Sequence, residues 1–127
     1  AVFYLPKLRA DQVVVIDRSG SMSSSGKLDA AKNAARAFID HANVGDMIGV
    51  ASFASSAGPA MDYPLTAIAG NTQWNAAKAA VNGLSASGAT ALGQGALLGY
   101  NEIVSKGQSD HDWAMALLSD GMENVTP

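Results

Sequence analysis

Residues 12–22 read QVVVIDRSGSM, and this stretch predicts the centre of the fold. Its four consecutive β-branched residues, Val13 to Ile16, indicate a strand that is buried on both faces, as in a parallel sheet. Asp17 ends the apolar run, and a serine-rich polar loop follows it as far as Lys27. We therefore expect a central strand whose carboxyl end opens into a polar loop.

The rest of the chain alternates further strands with helices. Short apolar runs predict three more strands, at residues 47–54, 62–66 and 113–118. Apolar residues at helical spacing predict three helices, which begin near Leu28, Trp74 and Leu92. Pro64 favours an edge position for the strand that contains it. This order predicts an α/β fold, a doubly wound (Rossmann-like), mostly parallel sheet with helices on both faces.

Composition excludes several classes of protein. A length of 127 residues fits one domain with a single core. The net charge is -3, and the eight Lys and Arg residues are scattered, which argues against a nucleic-acid surface. The chain has no cysteine, so disulfides and thiolate metal sites are excluded. No apolar run approaches the roughly 20 residues that span a bilayer, so direct membrane insertion is not expected.

Oxygen-bearing side chains are predicted to collect at one edge of the sheet. Asp17, Ser19 and Ser21 alternate along the first loop, so an extended loop would direct all three to one side. Asp120 follows the last predicted strand, and Thr90 precedes the last predicted helix, in loops that can reach the same edge. Oxygen ligands suit a hard cation, and so small a set suits Mg²⁺ or Mn²⁺ better than Ca²⁺. We therefore predict a divalent metal site at this edge.

The three motifs resemble the metal-ion-dependent adhesion site of the von Willebrand factor A domain family. That pattern is Asp-x-Ser-x-Ser, then a Thr and then an Asp in two further loops, and this chain has all of it in order within residues 12–124. The resemblance implies that Ser19 and Ser21 coordinate the ion directly, whereas Asp17 and Asp120 bind it directly or through water. Thr90 would bind directly in a ligand-engaged state. An Asp or Glu of a protein partner would complete the coordination shell.

The resemblance also implies a domain organisation. Residues 1–11 are expected to form an N-terminal extension and residues 12–127 a von Willebrand factor A-like domain with strand order 3-2-1-4. Family members usually continue for two more strands and helices, so the C-terminal part of the domain is expected to be missing after the fourth strand. Strand 113–118 would then be an exposed apolar edge that self-associates or pairs with a separately cleaved remainder of the chain.

Three functions are compatible with these residues. The favoured one is metal-dependent protein–protein binding or adhesion, without enzymatic activity, at an extracellular or cell-surface location; a cytoplasmic one stays open. The first alternative is a hydrolase in which Asp17 or Asp120 activates a metal-bound water. No His or Glu lies in the motif loops to act as its general base. The second alternative is an assembly module in which the ion only staples the three loops together.

The remaining residues that could carry chemistry are predicted to have structural roles. The segment from Gly20 to Lys27 nearly matches a phosphate-binding loop, but it has one residue too many, which argues against nucleotide binding. His41 is predicted to lie near a helix end, where the helix dipole favours it. His111 lies in a polar loop and is predicted to be solvated. Trp74 and Trp113 are predicted to pack rather than to stack on a ligand.

Overall fold

The computed structural model describes residues 9–54, 59–86 and 92–119. Within these ranges the elements in chain order are β1 (Ala10–Asp17), α1 (Lys27–Asp40), β2 (Met47–Phe53), β3 (Ala60–Ala67), α2 (Asn71–Asn82), α3 (Leu92–Lys106) and β4 (Asp112–Leu118). A short 3-10 helix, Gly20–Ser23, precedes α1. None of the helices in these ranges is long and apolar enough to cross a membrane.

The four described strands form one sheet in the order β3-β2-β1-β4. The central strand β1 is parallel to both β2 and β4, whereas β3 is antiparallel to β2. The predicted strand order and the mostly parallel character are therefore confirmed. β3 departs from the parallel pattern because only residues 54–59 join it to β2, too few for the crossover that a parallel neighbour needs.

Helices cover both faces of the sheet, as the doubly wound prediction requires. Val14 and Ile16 of β1 pack with α1 and α2, and the intervening Val13 and Val15 face α3. The helices contribute small or branched residues to these two clusters, namely Ala31, Ala35, Ile39, Ala77, Val81 and Ile103. All four β1 residues are fully buried, so β1 is the centre of the core.

Helix α3 approaches the sheet closely because two glycines face it. A Cβ atom at Gly95 would lie 2.2 Å from the ring of Phe53. At Gly99 it would lie 2.8 Å from both Val15 and Met115. These distances leave no room for a side chain, so the two glycines hold the first half of α3 against β1 and β2.

Strand β3 is an irregular edge. It is longer than the predicted 62–66, and Pro64 lies on the sheet edge as expected. The register pairs Val50 with Tyr63 but Ala51 with Met61, which makes Asp62 the extra residue of a β-bulge. Bulges bend a strand and re-aim its side chains, often near functional sites. Asp62 is therefore displaced from the regular alternation of β3.

Strand β4 forms the opposite edge, which is regular and apolar. Trp113, Met115 and Leu117 are 47%, 39% and 41% exposed, and Tyr100 and Val104 of α3 extend the same surface. Among the described residues, β4 pairs with β1 alone. The sequence prediction of an exposed apolar edge at 113–118 agrees with this arrangement.

The amino end of β1 corrects the prediction for His111. Asp11 is fully buried, and its Oδ1 lies 2.6 Å from Nδ1 of His111. Its Oδ2 accepts a hydrogen bond of 2.6 Å from the backbone N–H of Gln108. The imidazole is only 10% exposed, so the prediction that it is solvated is wrong. The loop between α3 and β4 folds over the start of β1, and Asp11 is the acceptor that holds it there.

Candidate metal centre

Asp17 is the last residue of β1, and its carboxylate is fixed at both oxygens. The side chain is fully buried. Oδ1 accepts a 2.9 Å hydrogen bond from the backbone N–H of Ser19, and Oδ2 accepts a 2.7 Å hydrogen bond from the hydroxyl of Ser119. Both donors are neutral, so the negative charge of Asp17 remains available to a cation.

The two serines of the motif lie together beside Asp17. Their Oγ atoms are 3.2 Å apart, and Ser19 is 1% exposed. The loop is not extended as expected, because Gly20–Ser23 turns as a 3-10 helix in which the N–H of Met22 donates to the carbonyl of Ser19. Met22 is buried against the core on the α1 side, which anchors this turn. The turn still brings both hydroxyls to one place.

The donor set in the described residues fits a hard divalent cation. One fixed carboxylate and two adjacent hydroxyls are the oxygen ligands that Mg²⁺ accepts, and Mg²⁺ keeps waters in its other positions. The remaining predicted ligands, Thr90 and Asp120, lie outside the described residues. Three of the five predicted positions are therefore described, and these three lie together.

Ser119 was not predicted as a site residue. It directly follows β4, and its hydroxyl reaches across from that strand to the end of β1. A signal was present in the sequence, because Ser119 immediately precedes Asp120 at the carboxyl end of a predicted strand. The carboxyl ends of neighbouring parallel strands meet at one edge, so a polar residue there is a natural partner for Asp17.

Arg18 connects this edge to β2 and β3. Its backbone N–H donates to the carbonyl of Phe53 at 3.1 Å, and its Nε donates to Oγ of Ser52 at 3.2 Å. Ser52 also hydrogen bonds to Asp62 of the β3 bulge. Partial burial raises the pKa of Asp62 above its usual value, although the Ser52 hydroxyl and the Arg18 charge both act to lower it. A mixed-charge cluster therefore borders the candidate metal centre.

Comparison with known proteins identifies the family. The sequence model of the von Willebrand factor type A domain matches residues 12–123. A solved von Willebrand factor type A protein from Catenulispora acidiphila is 32% identical, with a TM-score of 0.71 over 84% of this chain and 25% of that one. No curated protein sequence is significantly similar to this chain.

Two other solved structures share the fold at 20% identity, which by itself shows the fold alone. The type V pili tip protein Mfa5 from Porphyromonas gingivalis has a TM-score of 0.79 over 94% of this chain and 21% of that one. Proximal thread matrix protein 1 from the mussel byssus, with a zinc-occupied MIDAS motif, has a TM-score of 0.73 over 93% and 32%. This chain thus spans a third or less of each of these three solved relatives. The sequence match and the shared fold show that the chain belongs to the von Willebrand factor type A domain family.

Proposed function

We propose that this chain is a divalent-metal-dependent protein-binding module of the adhesion type. The observation that carries the proposal is the buried carboxylate of Asp17, which neutral donors hold beside the adjacent hydroxyls of Ser19 and Ser21. Thr90 and Asp120 complete the proposed ligand set from their place in the sequence pattern. Together the five residues would form a metal-ion-dependent adhesion site.

Each residue has a distinct role in this proposal. The serine hydroxyls bind the cation directly, while Asp17 and Asp120 orient its waters or bind it themselves. Thr90 binds directly when a partner is engaged. The ion supplies a concentrated positive charge at its open coordination position, and this charge attracts an Asp or Glu side chain of the partner. The protein residues thus fix the ion, and the partner occupies the open position.

The proposed ion is Mg²⁺ or Mn²⁺. A small, hydroxyl-rich site suits near-octahedral coordination at short distances, whereas Ca²⁺ takes six to eight oxygen ligands at longer ones. The zinc-occupied motif of the mussel byssus protein supports a divalent ion of some kind in this fold. Competition calorimetry in Mg²⁺, Mn²⁺ and Ca²⁺ would rank the three ions, and tighter binding of Ca²⁺ than of Mg²⁺ would contradict this choice.

We further propose that the module is not an enzyme and acts outside the cell or at its surface. A pili tip protein and a byssal thread matrix protein are among the solved relatives, and these names support an adhesive or structural setting. The hydrolase alternative makes a clear prediction, namely metal-dependent turnover of ester or phosphoester substrates. Turnover that disappears in Asp17→Ala would favour that alternative over adhesion.

Isothermal titration calorimetry tests the metal site itself. Wild type should bind one Mg²⁺ or Mn²⁺ per chain, and Asp17→Ala should bind none. Asp40→Ala is the matched control, because it removes a carboxylate that is paired with Lys78 at the end of α1. Unchanged Mg²⁺ binding in Asp17→Ala would remove the basis of the proposal.

Capture of an acidic partner tests the role of the ion. Binding to an immobilised aspartate-containing peptide should occur in Mg²⁺ and disappear in excess chelator. A peptide with asparagine in place of aspartate is the control. Capture that persists in chelator would show that the ion does not mediate the contact.

We propose self-association through β4 as a second interaction of this chain. Its exposed Trp113, Met115 and Leu117 and the unpaired edge observed within the described residues favour addition of a strand from a second copy. Light scattering should show dimers that Leu117→Lys weakens at least tenfold. A wild-type chain that stays monomeric at high concentration would refute this association and leave the metal proposal intact.

A further inference from the structure

Arg18 lies between the candidate metal centre and the β3 edge. In the register of β1 and β2, Asp17 lies opposite Phe53 and Ile16 opposite Ser52. The guanidinium of Arg18 bonds to Ser52, so it lies over the carboxyl end of β2. Neighbouring strands are about 4.8 Å apart. The Arg18 charge and the Asp17 carboxylate therefore share one edge of the sheet, on adjacent strands.

The guanidinium has unused hydrogen-bonding capacity. It offers five N–H donors in a planar fork. In the part of the chain that the structure describes, its only hydrogen bond runs from Nε to Ser52. Because Nε is the atom that is bound, the two terminal amino groups keep their donors. A planar pair of donors is the geometry that binds a carboxylate at both oxygens.

Asp62 orients this cation without neutralising it. The β3 bulge re-aims Asp62 toward Ser52, so that the Ser52 hydroxyl contacts both Arg18 and Asp62. The charge of Arg18 acts on Asp62, but within the described ranges no ion pair of 4.0 Å or less joins them. Asp62 therefore attracts the guanidinium toward β3 and competes with any external anion for it.

We infer that Arg18 is a second anchor for the partner of the proposed metal site, so that the module selects ligands with two neighbouring carboxylates. One carboxylate binds the ion and the other binds the Arg18 guanidinium, which Ser52 positions and Asp62 restrains. This inference rests on the proposed metal-dependent function and specifies its partner: an acidic segment with paired Asp or Glu residues rather than an isolated one.

The arrangement predicts opposite effects of Arg18 on the ion and on the partner. A cation beside the metal site repels a divalent ion and attracts a carboxylate. Arg18→Gln should therefore bind Mg²⁺ as tightly as wild type or a few-fold more tightly. Its affinity for a ligand with two neighbouring carboxylates should fall. Asp62→Asn removes the competing carboxylate and should raise the affinity for that ligand. A residue with a purely structural role would not produce these opposite signs.

Surface-based binding measurements on two immobilised peptides test the inference. One peptide presents a single Asp, and the other presents two adjacent Asp residues in an otherwise identical sequence. In Mg²⁺, wild type should bind the paired peptide about tenfold more tightly, as expected for an added charge-assisted contact of about 1.4 kcal/mol. Arg18→Gln should lose most of this preference, Arg18→Lys should keep part of it, and Asp62→Asn should increase it about threefold.

Two controls make the result specific. Arg36→Gln removes the same charge from α1, where Arg36 bonds to Asn82, and should keep the wild-type preference. Thermal unfolding and Mg²⁺ calorimetry on each variant establish that it is folded and that its metal site is intact. A loss of preference in Arg18→Gln with normal metal binding is the expected outcome.

Failure of this inference is distinguishable from failure of the proposed function. If wild type captures both peptides equally in Mg²⁺ and releases both in chelator, the second anchor is wrong and the metal-dependent function stands. A full tenfold preference in Arg18→Gln would likewise overturn the role of Arg18. If wild type captures neither peptide in Mg²⁺, both the inference and the proposed function are wrong.

Discussion

The two ends of β1 each carry a fully buried aspartate, and they are built for different tasks. Asp11 at the amino end contacts Nδ1 of His111 and the N–H of Gln108, both from the loop before β4. Asp17 at the carboxyl end accepts from Ser19 and Ser119, beside further hydroxyl groups. Burial alone therefore does not mark a binding site. The neighbours of the carboxylate distinguish a structural acceptor from a candidate ligand.

The surroundings of the two ends explain the difference. At the amino end, the loop of residues 107–111 packs over β1, and Trp113 donates from Nε1 to the carbonyl of Gln108 at 2.9 Å. The carboxyl end instead leads into a polar turn that Met22 anchors to the core. Ligands of parallel sheets bind beyond the carboxyl ends of the strands, and the candidate metal centre follows that rule.

Removal of Asp11 should have the largest effect on folding. Asp11→Ala leaves the His111 ring nitrogen and the Gln108 N–H without their buried acceptor, so we expect the free energy of unfolding to fall by about 3 kcal/mol. Urea denaturation measures this change. Asp112→Ala is the control, because that side chain is exposed on β4. A loss below about 1 kcal/mol would show that the two ends of β1 are less different than described.

The second-largest expected effect is the stabilisation by Mg²⁺, which should depend on Asp17 and not on Asp11. At a free Mg²⁺ concentration 100 times the dissociation constant, a bound ion stabilises the folded state by about 2.7 kcal/mol. Wild type and Asp11→Ala should both gain this amount in urea denaturation, whereas Asp17→Ala should gain nothing. An equal gain in stability in Asp17→Ala would mean that the ion binds elsewhere and that the two aspartates do not differ in metal binding.

Ser119 should affect metal affinity by a smaller factor. Ser119→Ala removes the donor to Oδ2 of Asp17, so the carboxylate is held at one oxygen only. Loss of such an orienting contact typically weakens metal binding at least tenfold, or about 1.4 kcal/mol. Calorimetry with Mg²⁺ measures it. Ser105→Ala, which removes an exposed hydroxyl on α3, should bind as wild type does.

Asp62 is a third carboxylate, less buried than Asp11 and Asp17. Its substitution should have the smallest effect on stability. Partial burial raises its pKa in the folded state above the ordinary value of 3.8. The folded chain therefore binds a proton at Asp62 more tightly than the unfolded chain does. The stability that protonation of Asp62 contributes is lost as the pH rises through the range above 3.8. At pH 7, Asp62→Asn should be more stable than wild type by less than about 0.5 kcal/mol, since the side chain is only partly buried and solvent still screens it.

The sign of this difference is open to measurement. Urea denaturation of both chains without metal should show the advantage of Asp62→Asn shrinking as the pH falls toward 3.8. An advantage that grows at low pH would mean that hydrogen bonding to Ser52 and the charge of Arg18 outweigh burial.

Local sequence patterns were sufficient for the core of the fold. The run of Val13 to Ile16 predicted a buried central strand, and helical spacing predicted three helices that the structure contains. The same patterns predicted that Asp17, Ser19 and Ser21 lie together. The strand and helix predictions succeeded because each depends on residues that are neighbours in sequence, whereas the loop expected to be extended turns as a 3-10 helix at Gly20–Ser23.

Long-range contacts could not be predicted in this way. Asp11 and His111 are 100 positions apart, and Arg18 and Ser52 are 34 apart. A polar residue at the start of a strand does not reveal which distant loop will cover it. The bulge at Asp62 was also missed, because the register of β3 depends on backbone pairing with β2 rather than on the apolar pattern.

The position of β1 between β2 and β4 has a consequence for biosynthesis. β1 lies near the start of this segment, yet its partner β4 follows about 100 residues later. Ribosomes add about 5–20 residues per second, so roughly 5 to 20 seconds separate the synthesis of the two strands. During that interval one edge of a strand made of Val and Ile has no partner, and such unpaired edges favour aggregation. The Ser119 hydroxyl that fixes Asp17 arrives at the same late moment, so an ion site at this edge would form only after β4 has joined the sheet.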